Sequence, residues 1–315
     1  MNTNNVSRAK FLQMSAMVAG GIILSPWKTF AQAESPVITI KKDAAKVPIV
    51  VSALRGNIHV LQGSGGNISV FNGPEGKLMV DAGIAVSQKK ITDAMNAISD
   101  EPLKYLINSH WHFDHADGNA WVNKAGATII AHERTRTNLA KTIRVTDWNY
   151  TFPAVSGGAL PSVVFSKEHN LTFNGSKIHM RHYAPAHSDC DISIYFPHAD
   201  VLHVADTWWN SYFPFIDHSS GGSLDGMITA SNHNLAITTD KTIIVPGHGA
   251  VGNRSQLRDF RDMLVTVKEK VSKLKKSGRT LSETVAAKPT AAYDAKFGQY
   301  VLDGAFFTKL VYADV

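Results

Sequence analysis

The sequence predicts an α/β layered domain. Short apolar β-like runs alternate with segments of helical period from residue 56 to residue 274, the pattern of sheets packed against helices. The 44% hydrophobic content supplies a sizeable core and excludes a disordered or low-complexity chain. A single Cys excludes an intramolecular disulfide framework and Cys-rich zinc modules. At 315 residues the chain is one large domain or two small ones, and neither an internal repeat nor a separating linker stands out.

The first 33 residues read as a signal peptide. Arg8 and Lys10 form a basic region without acids, and Met14 to Leu24 is an apolar stretch too short to span a bilayer. Ala31-Gln32-Ala33 then offers a small-x-small cleavage site. Ser7-Arg8-Ala9-Lys10-Phe11-Leu12 resembles a twin-arginine signal, but Ala9 replaces the second Arg, so the export route stays open. The expected mature chain is 34–315, periplasmic or secreted, with no membrane attachment after cleavage. Its net charge falls from +6 to +3 as Arg8, Lys10 and Lys28 leave. The basic block at Lys268–Lys276 sits on a predicted helix and reads as a solvated face, so no nucleic-acid partner is expected.

In chain order, Ile58–Leu61 and Asn67–Val70 read as strands around the Gly63-Ser64-Gly65-Gly66 turn. Lys77–Val80 is a short strand ending in Asp81-Ala82-Gly83. Ile91, Met95 and Ile98 recur at helical spacing between about Ser87 and Ser99. Leu106-Ile107 ends a strand, and Thr128–Ile130, Asp191–Phe196, Val201–Val204 and Thr242–Val245 are further candidates. Residues 141–165 read as the largest irregular insertion. Leu257, Phe260, Leu264, Val267, Val271 and Leu274 form one stripe of a long helix from about Ser255 to Leu274, among helices that follow about residue 253.

The strongest chemical signal is Asn108-Ser109-His110-Trp111-His112-Phe113-Asp114-His115: three His and one Asp within six residues, just past a strand end. Imidazole and carboxylate suit Zn²⁺ and also iron or manganese. His110 and His112 alternate in an extended segment, so their rings can converge on one ion, and Asp114 and His115, past the strand, can face a second. His187, in Ala184-Pro185-Ala186-His187-Ser188-Asp189, and His248, in Pro246-Gly247-His248-Gly249, stand on tight loops after β-like stretches. Asp206 follows Val201–Val204, where a carboxylate can bridge two cations.

The ordered set His110-x-His112-x-Asp114-His115, His187, Asp206 and His248 resembles the metallo-β-lactamase superfamily over about residues 50–252, with Asp81-Ala82-Gly83 matching its early Asp-x-Gly loop. The resemblance implies a four-layer αβ/βα sandwich with two metals at one edge. It assigns His110, His112 and His187 to the first metal, Asp114, His115 and His248 to the second, and Asp206 to the bridge. It further implies two Zn²⁺, with iron or manganese as substitutes. The bridging Asp is similar to that of glyoxalase II, lactonases and related esterases; the family's true β-lactamases generally carry Cys or Ser for the second metal. Cys190 stands only three residues after His187 and reads as a packed side chain.

The activity so implied is an exported dinuclear zinc hydrolase that cleaves a small ester, lactone or thioester by metal-bound hydroxide, with Asp114 as both ligand and water-orienting catalytic acceptor. Alternatives are lactam hydrolysis on the same site, a mononuclear-iron dioxygenase of the persulfide type, and a metal-binding periplasmic protein without catalysis. Asp81 is a candidate to hold a ligand imidazole by its free N–H or to stabilise a turn. Trp148, Tyr150 and Phe152, with Trp208, Trp209, Tyr212, Phe213 and Phe215, suggest an apolar substrate wall. Tyr212 is a candidate oxyanion donor. The other histidines are read as structural or surface groups, His132 and His218 least securely. A small-molecule substrate is the expected partner; its identity and the oligomeric state are not legible.

Overall fold

In this computed structural model, Glu34–Val315 are described. The signal-peptide reading of residues 1–33 lies outside the described residues. Strands β1 (Val50–Ala53), β2 (Ile58–Gln62), β3 (Ile68–Gly73), β4 (Gly76–Val80), β5 (Leu103–Asn108) and β6 (Thr128–His132) lie side by side in chain order in one sheet. A short hairpin, β7 (Ile143–Val145) with β8 (Tyr150–Phe152), stands apart, and β9 (Val163–Phe165) closes the sheet beyond β6. The second sheet runs β10 (Glu168–Phe173), β11 (Ser176–His182), β12 (Ile192–Phe196), β13 (Val201–Trp209) and β14 (Ile243–His248), also in chain order. Each sheet begins with antiparallel pairs and turns parallel, at β4–β5 in the first and at β13–β14 in the second.

Side chains alternate across a strand; both faces are buried in the central strands β4 and β13, while β1, β10 and β11 expose one face. Ile58, Val60, Leu78, Val80, Ile107 and Ile130 point inward and meet Ile178, Met180, Ile192, Ile194 and Val245 of the other sheet. Their strand neighbours Leu61, Met79, Leu106 and Ile129 point outward and pack against helices.

The helices are α1 (Pro36–Lys46), α2 (Gln88–Ile98), α3 (Phe113–Ala116), α4 (Asn119–Lys124), α5 (Glu133–Leu139), α6 (Leu224–Ile237), α7 (Arg254–Lys276), α8 (Leu281–Ala286), α9 (Asp294–Phe297) and α10 (Gly304–Asp314). Ile91 and Met95 of α2 and Val122 of α4 cover the outer face of the first sheet. The α7 stripe predicted from sequence is buried from Leu257 to Val271, with α6 and α10, over Leu202, Val204 and Ile244 of the second, while Leu274 at its end is half-buried. This is the four-layer helix–sheet–sheet–helix sandwich. Asn253 and Gln256 cap α7 reciprocally, which fixes its start one residue before the expected Ser255. Among the described residues, no helix is long and apolar enough to cross a membrane.

Residues 141–165 are more ordered than the sequence suggests. They hold β7, β8 and β9, strands of three residues each, too short to show an alternation.

Candidate metal centre

The seven predicted residues reach one place from four chain segments. His110 and His112 follow the end of β5, and Asp114 and His115 sit on α3. His187 comes from the loop between β11 and β12, Asp206 from within β13, and His248 from the end of β14. The register of β13 against β14 shifts on either side of Ala205, whose φ of 46° is rare for a residue with a Cβ. This irregularity immediately precedes Asp206. Two glycines make room. A Cβ on Gly66 would collide with the His115 ring, and one on Gly247 would collide with the Asp206 carboxylate.

Hydrogen-bond accounting fixes which way each ring faces. The Ser109 hydroxyl donates to Asp81 at 2.7 Å, so it accepts from His110 Nδ1–H at 2.9 Å. His112 Nε2–H donates to the Asp217 carboxylate at 2.9 Å, and His187 Nδ1–H donates to the Phe215 carbonyl at 2.7 Å. The opposite nitrogens, His110 Nε2, His112 Nδ1 and His187 Nε2, are then left as lone pairs. They face one another: His112 Nδ1 is 3.1 Å from His110 Nε2 and 2.7 Å from His187 Nε2. Converging lone pairs repel unless a cation lies among them, so the donor set fits a metal ion.

Asp206 extends the same logic. Its carboxylate lies 3.3 Å from His187 Nε2 and 3.9 Å from His110 Nε2 on one side, and 3.1 Å from His115 Nε2 and 3.4 Å from His248 Nε2 on the other. His115 Nδ1–H donates to Asp81 at 2.8 Å, which turns the Nε2 lone pair toward Asp206. His115 Nε2 and Asp206 Oδ1 are both sealed from solvent without a hydrogen-bond partner among the described residues. Asp114 completes the second group, 3.3 Å from His248 Nε2 and 3.6 Å from His115 Nε2. The result is two adjacent groups, His110, His112, His187 and Asp206, then Asp114, His115 and His248, each close enough to share an ion.

The electrostatics agree. Burial alone would raise the Asp206 carboxyl, yet His248, His115 and His187 outweigh it and hold the group well below the usual carboxylate range. Burial pushes His110 well down, with His115 adding to the effect, and pushes His187 down to about 4. Against burial, the carboxylates of Asp206, Asp114 and Asp81 hold His115 well above its ordinary value. His110 and His187, held neutral and turned inward beside the buried Asp206 carboxylate, make a pocket for positive charge.

Asp81, whose φ is 64°, acts as the sequence suggested: it holds His115 and the Ser109 backbone and hydroxyl. Asp217 is the residue that sequence reasoning missed. It also caps a short 3₁₀ turn through Ser219 and receives the Ser219 and Ser220 hydroxyls, so in sequence it looks like an ordinary turn Asp. Cys190 is a buried neighbour of Ser188, and burial pushes its thiol up; it is in neither group. His132 stacks flat on His182 and His218 faces Asp314, so both stand outside the centre.

Above the two groups opens a cavity. Trp148, Phe152, Trp209 and Phe215 line it, as the aromatic loops suggested, together with Phe113, Val145 and the unforeseen Ile40, Tyr300 and Val301. Trp208 and Phe213 are instead buried in the core. Among the described residues, no Lys or Arg lines the cavity. Burial, followed by the Asp114 carboxylate, pushes the Tyr300 phenol up. Tyr212 lines no part of the cavity; it stacks on Tyr300, with ring centroids 4.6 Å apart.

Asp217→Ala removes the acceptor that keeps the His112 proton on Nε2. Divalent-cation affinity is expected to fall about 10- to 100-fold, measured by competition with a chromophoric chelator. Unchanged affinity would show that the ring is oriented without Asp217.

The metallo-beta-lactamase superfamily model matches residues 61–248. A linear primary-alkylsulfatase from Pseudomonas sp. (strain ATCC 19151) is 24% identical over 256 residues, which are 69% of this chain and 48% of the relative. The stereoselective inverting sec-alkylsulfatase from Pseudomonas sp. superposes with a TM-score of 0.64 at 17% identity, over 87% of this chain and 51% of that one. A metallo-beta-lactamase from Pontibacter korlensis gives 0.55 at 16% identity, over 69% of this chain and 98% of that one. This chain thus spans about half the length of the alkylsulfatases it matches. The match to the family model covers more than half of the chain, in the segment that carries all seven converging side chains, and the chain belongs to the metallo-β-lactamase superfamily.

Proposed function

We propose that this chain is an exported, metal-dependent hydrolase of a small uncharged ester, lactone or thioester. The observation that carries the reading is the pair of donor groups sharing Asp206 at the floor of an apolar cavity. His110, His112 and His187 would hold one divalent cation, Asp114, His115 and His248 a second, and Asp206 both; zinc suits these donors best. When bound, such a pair supplies Lewis-acid polarisation of a substrate oxygen and lowers the pKa of water toward 7. The chain's own contribution is to orient and to exclude water. Asp114 is the less buried of the two carboxylates and lines the cavity, so it is placed to accept a proton from an attacking water. No Ser or Cys nucleophile lines the cavity.

The cavity wall narrows the substrate. With no Lys or Arg among the lining residues, an anionic substituent would enter a dry, apolar space without a fixed protein cation. That argues for a neutral molecule with an aromatic or aliphatic part and against β-lactams and glutathione thioesters, whose carboxylates would need a partner. A second reading, hydrolysis of an alkyl sulfate ester, is favoured by the similarity to the two Pseudomonas alkylsulfatases. The apolar wall suits an alkyl chain, while the missing basic residue weighs against the sulfate. A small-molecule substrate is the only partner this reading requires.

Purified protein should carry about two divalent ions per chain, and Asp206→Ala should lose both, by elemental analysis. One tightly held iron and no zinc would shift the reading to the dioxygenase.

A kcat/KM series over an aryl ester, a homoserine lactone, a glutathione thioester, nitrocefin and a secondary alkyl sulfate should place the neutral ester or lactone first. Preference for the sulfate would establish the sulfatase reading, and preference for nitrocefin the lactamase one.

Export is expected to leave Glu34 as the N-terminus outside the cytoplasm, checked by N-terminal sequencing of cell fractions. Only intact Met1 protein in the cytosol would refute it.

A further inference from the structure

We propose that Tyr300, on the segment following α9, is a catalytic residue whose phenol donates a hydrogen bond to the substrate oxygen beside Asp114 and His248. The proposal rests on the ester-hydrolase reading and supplies the donor that this reading lacks. The polar groups on the cavity floor are committed elsewhere: Asp114 and Asp206 are acceptors, His112 and His187 turn their lone pairs into the first donor group, and His248 Nε2 faces Asp114 and Asp206. Trp209 also lines the cavity, but its indole N–H is sealed from solvent. Trp148 stands against Phe215, on the side of His112 and His187. Tyr300 is the lining residue that brings a hydroxyl to the other side, its ring centroid 6.0 Å from that of His248. That hydroxyl bonds to no other described residue.

The ring is held firmly enough to aim it. Tyr212 stacks on it with planes 30° apart, and Trp209 meets it edge-on at 6.2 Å. The segment itself is anchored by the buried side chains of Val301 and Leu302 and by the Phe213 N–H, which donates to the Phe297 carbonyl at 2.8 Å. A donor prearranged in a water-poor site costs no reorganisation as negative charge develops on the substrate oxygen. Tyr212, the donor suggested by sequence, stands behind Tyr300 rather than in the cavity.

The test compares Tyr300→Phe, Tyr212→Phe and the remote Tyr293→Phe in the metal-loaded mature chain. Tyr300→Phe keeps the ring stack and should lower kcat for an aryl ester about 10- to 100-fold. Cation content should stay at the wild-type level. Tyr293→Phe should match wild type throughout. A second readout needs no turnover: saturation-transfer NMR titration with acetophenone and with ethylbenzene, which share a shape and differ in one acceptor. Tyr300→Phe should weaken acetophenone relative to ethylbenzene about 3- to 10-fold. Wild-type kcat with an unchanged probe ratio would overturn the proposal, as would equal weakening of both probes, loss of cations, or a larger loss in Tyr212→Phe. If the wild-type protein cleaves no ester, the hydrolase reading fails, and the probe ratio still decides whether Tyr300 is a donor in this cavity.

Discussion

A carboxylate buried beneath four imidazoles is the constraint on which this structure turns. Asp206 is 3% exposed, and a charge in that position is costly unless positive charge surrounds it. Among the described residues no Lys or Arg pairs with it; His110, His115, His187 and His248 approach it, all within 3.9 Å. The local backbone bends to this requirement. The irregular pairing of β13, the positive φ of Ala205 and the bare Cα positions of Gly66 and Gly247 bring carboxylate and rings closer than regular strands with side chains would allow. Together these features make a site that a cation among the donors would stabilise.

The imidazoles are selected by what stands behind them. Asp81 reaches His115 directly and His110 through Ser109, Asp217 holds His112, and the Phe215 carbonyl holds His187. One outer carboxylate therefore serves both donor groups, while the other serves only the first. Fixing the proton on the outer nitrogen of these four rings presents their inner lone pairs together, and it raises the basicity of each as a ligand. The two sheets are the scaffold for this. β13 lies beside β14, and β5, β13 and β14 are buried where they meet the site, so three of the contributing segments start from rigid strands.

The layered fold and the donor set were both legible in sequence because each leaves a local trace. Alternation in Ile58–Leu61 and a stripe from Leu257 to Leu274 report faces that are buried, and His110 to His115 crowd donors into six residues. What was illegible has no such trace. Asp217 serves a turn and a ligand at once, and the turn alone explains it. The strands of residues 141–165 are too short to show a period. Tyr212 follows Asp206 closely and so suggested itself as a donor, whereas Tyr300 lies about fifty residues beyond His248 in an ordinary helical tail. Only the packing of that tail against Phe213 brings it to the cavity.

The division between the floor and the walls of the cavity follows from this. The floor is built wholly within residues 61–248, the segment matched by the family model, and its donors are grouped closely enough to hold a metal ion. The walls draw on Ile40 from α1 and on Tyr300 and Val301 from the C-terminal tail, both outside that segment. Ser35 ties the start of α1 to the Trp148 carbonyl on the wall. A wall residue contributes shape and, in Tyr300, a hydroxyl, and neither has to satisfy the charge balance below. Selectivity can therefore change by substitution in the flanking segments without disturbing Asp206, which is how a common hydrolytic floor can serve relatives acting on sulfate esters and on β-lactams.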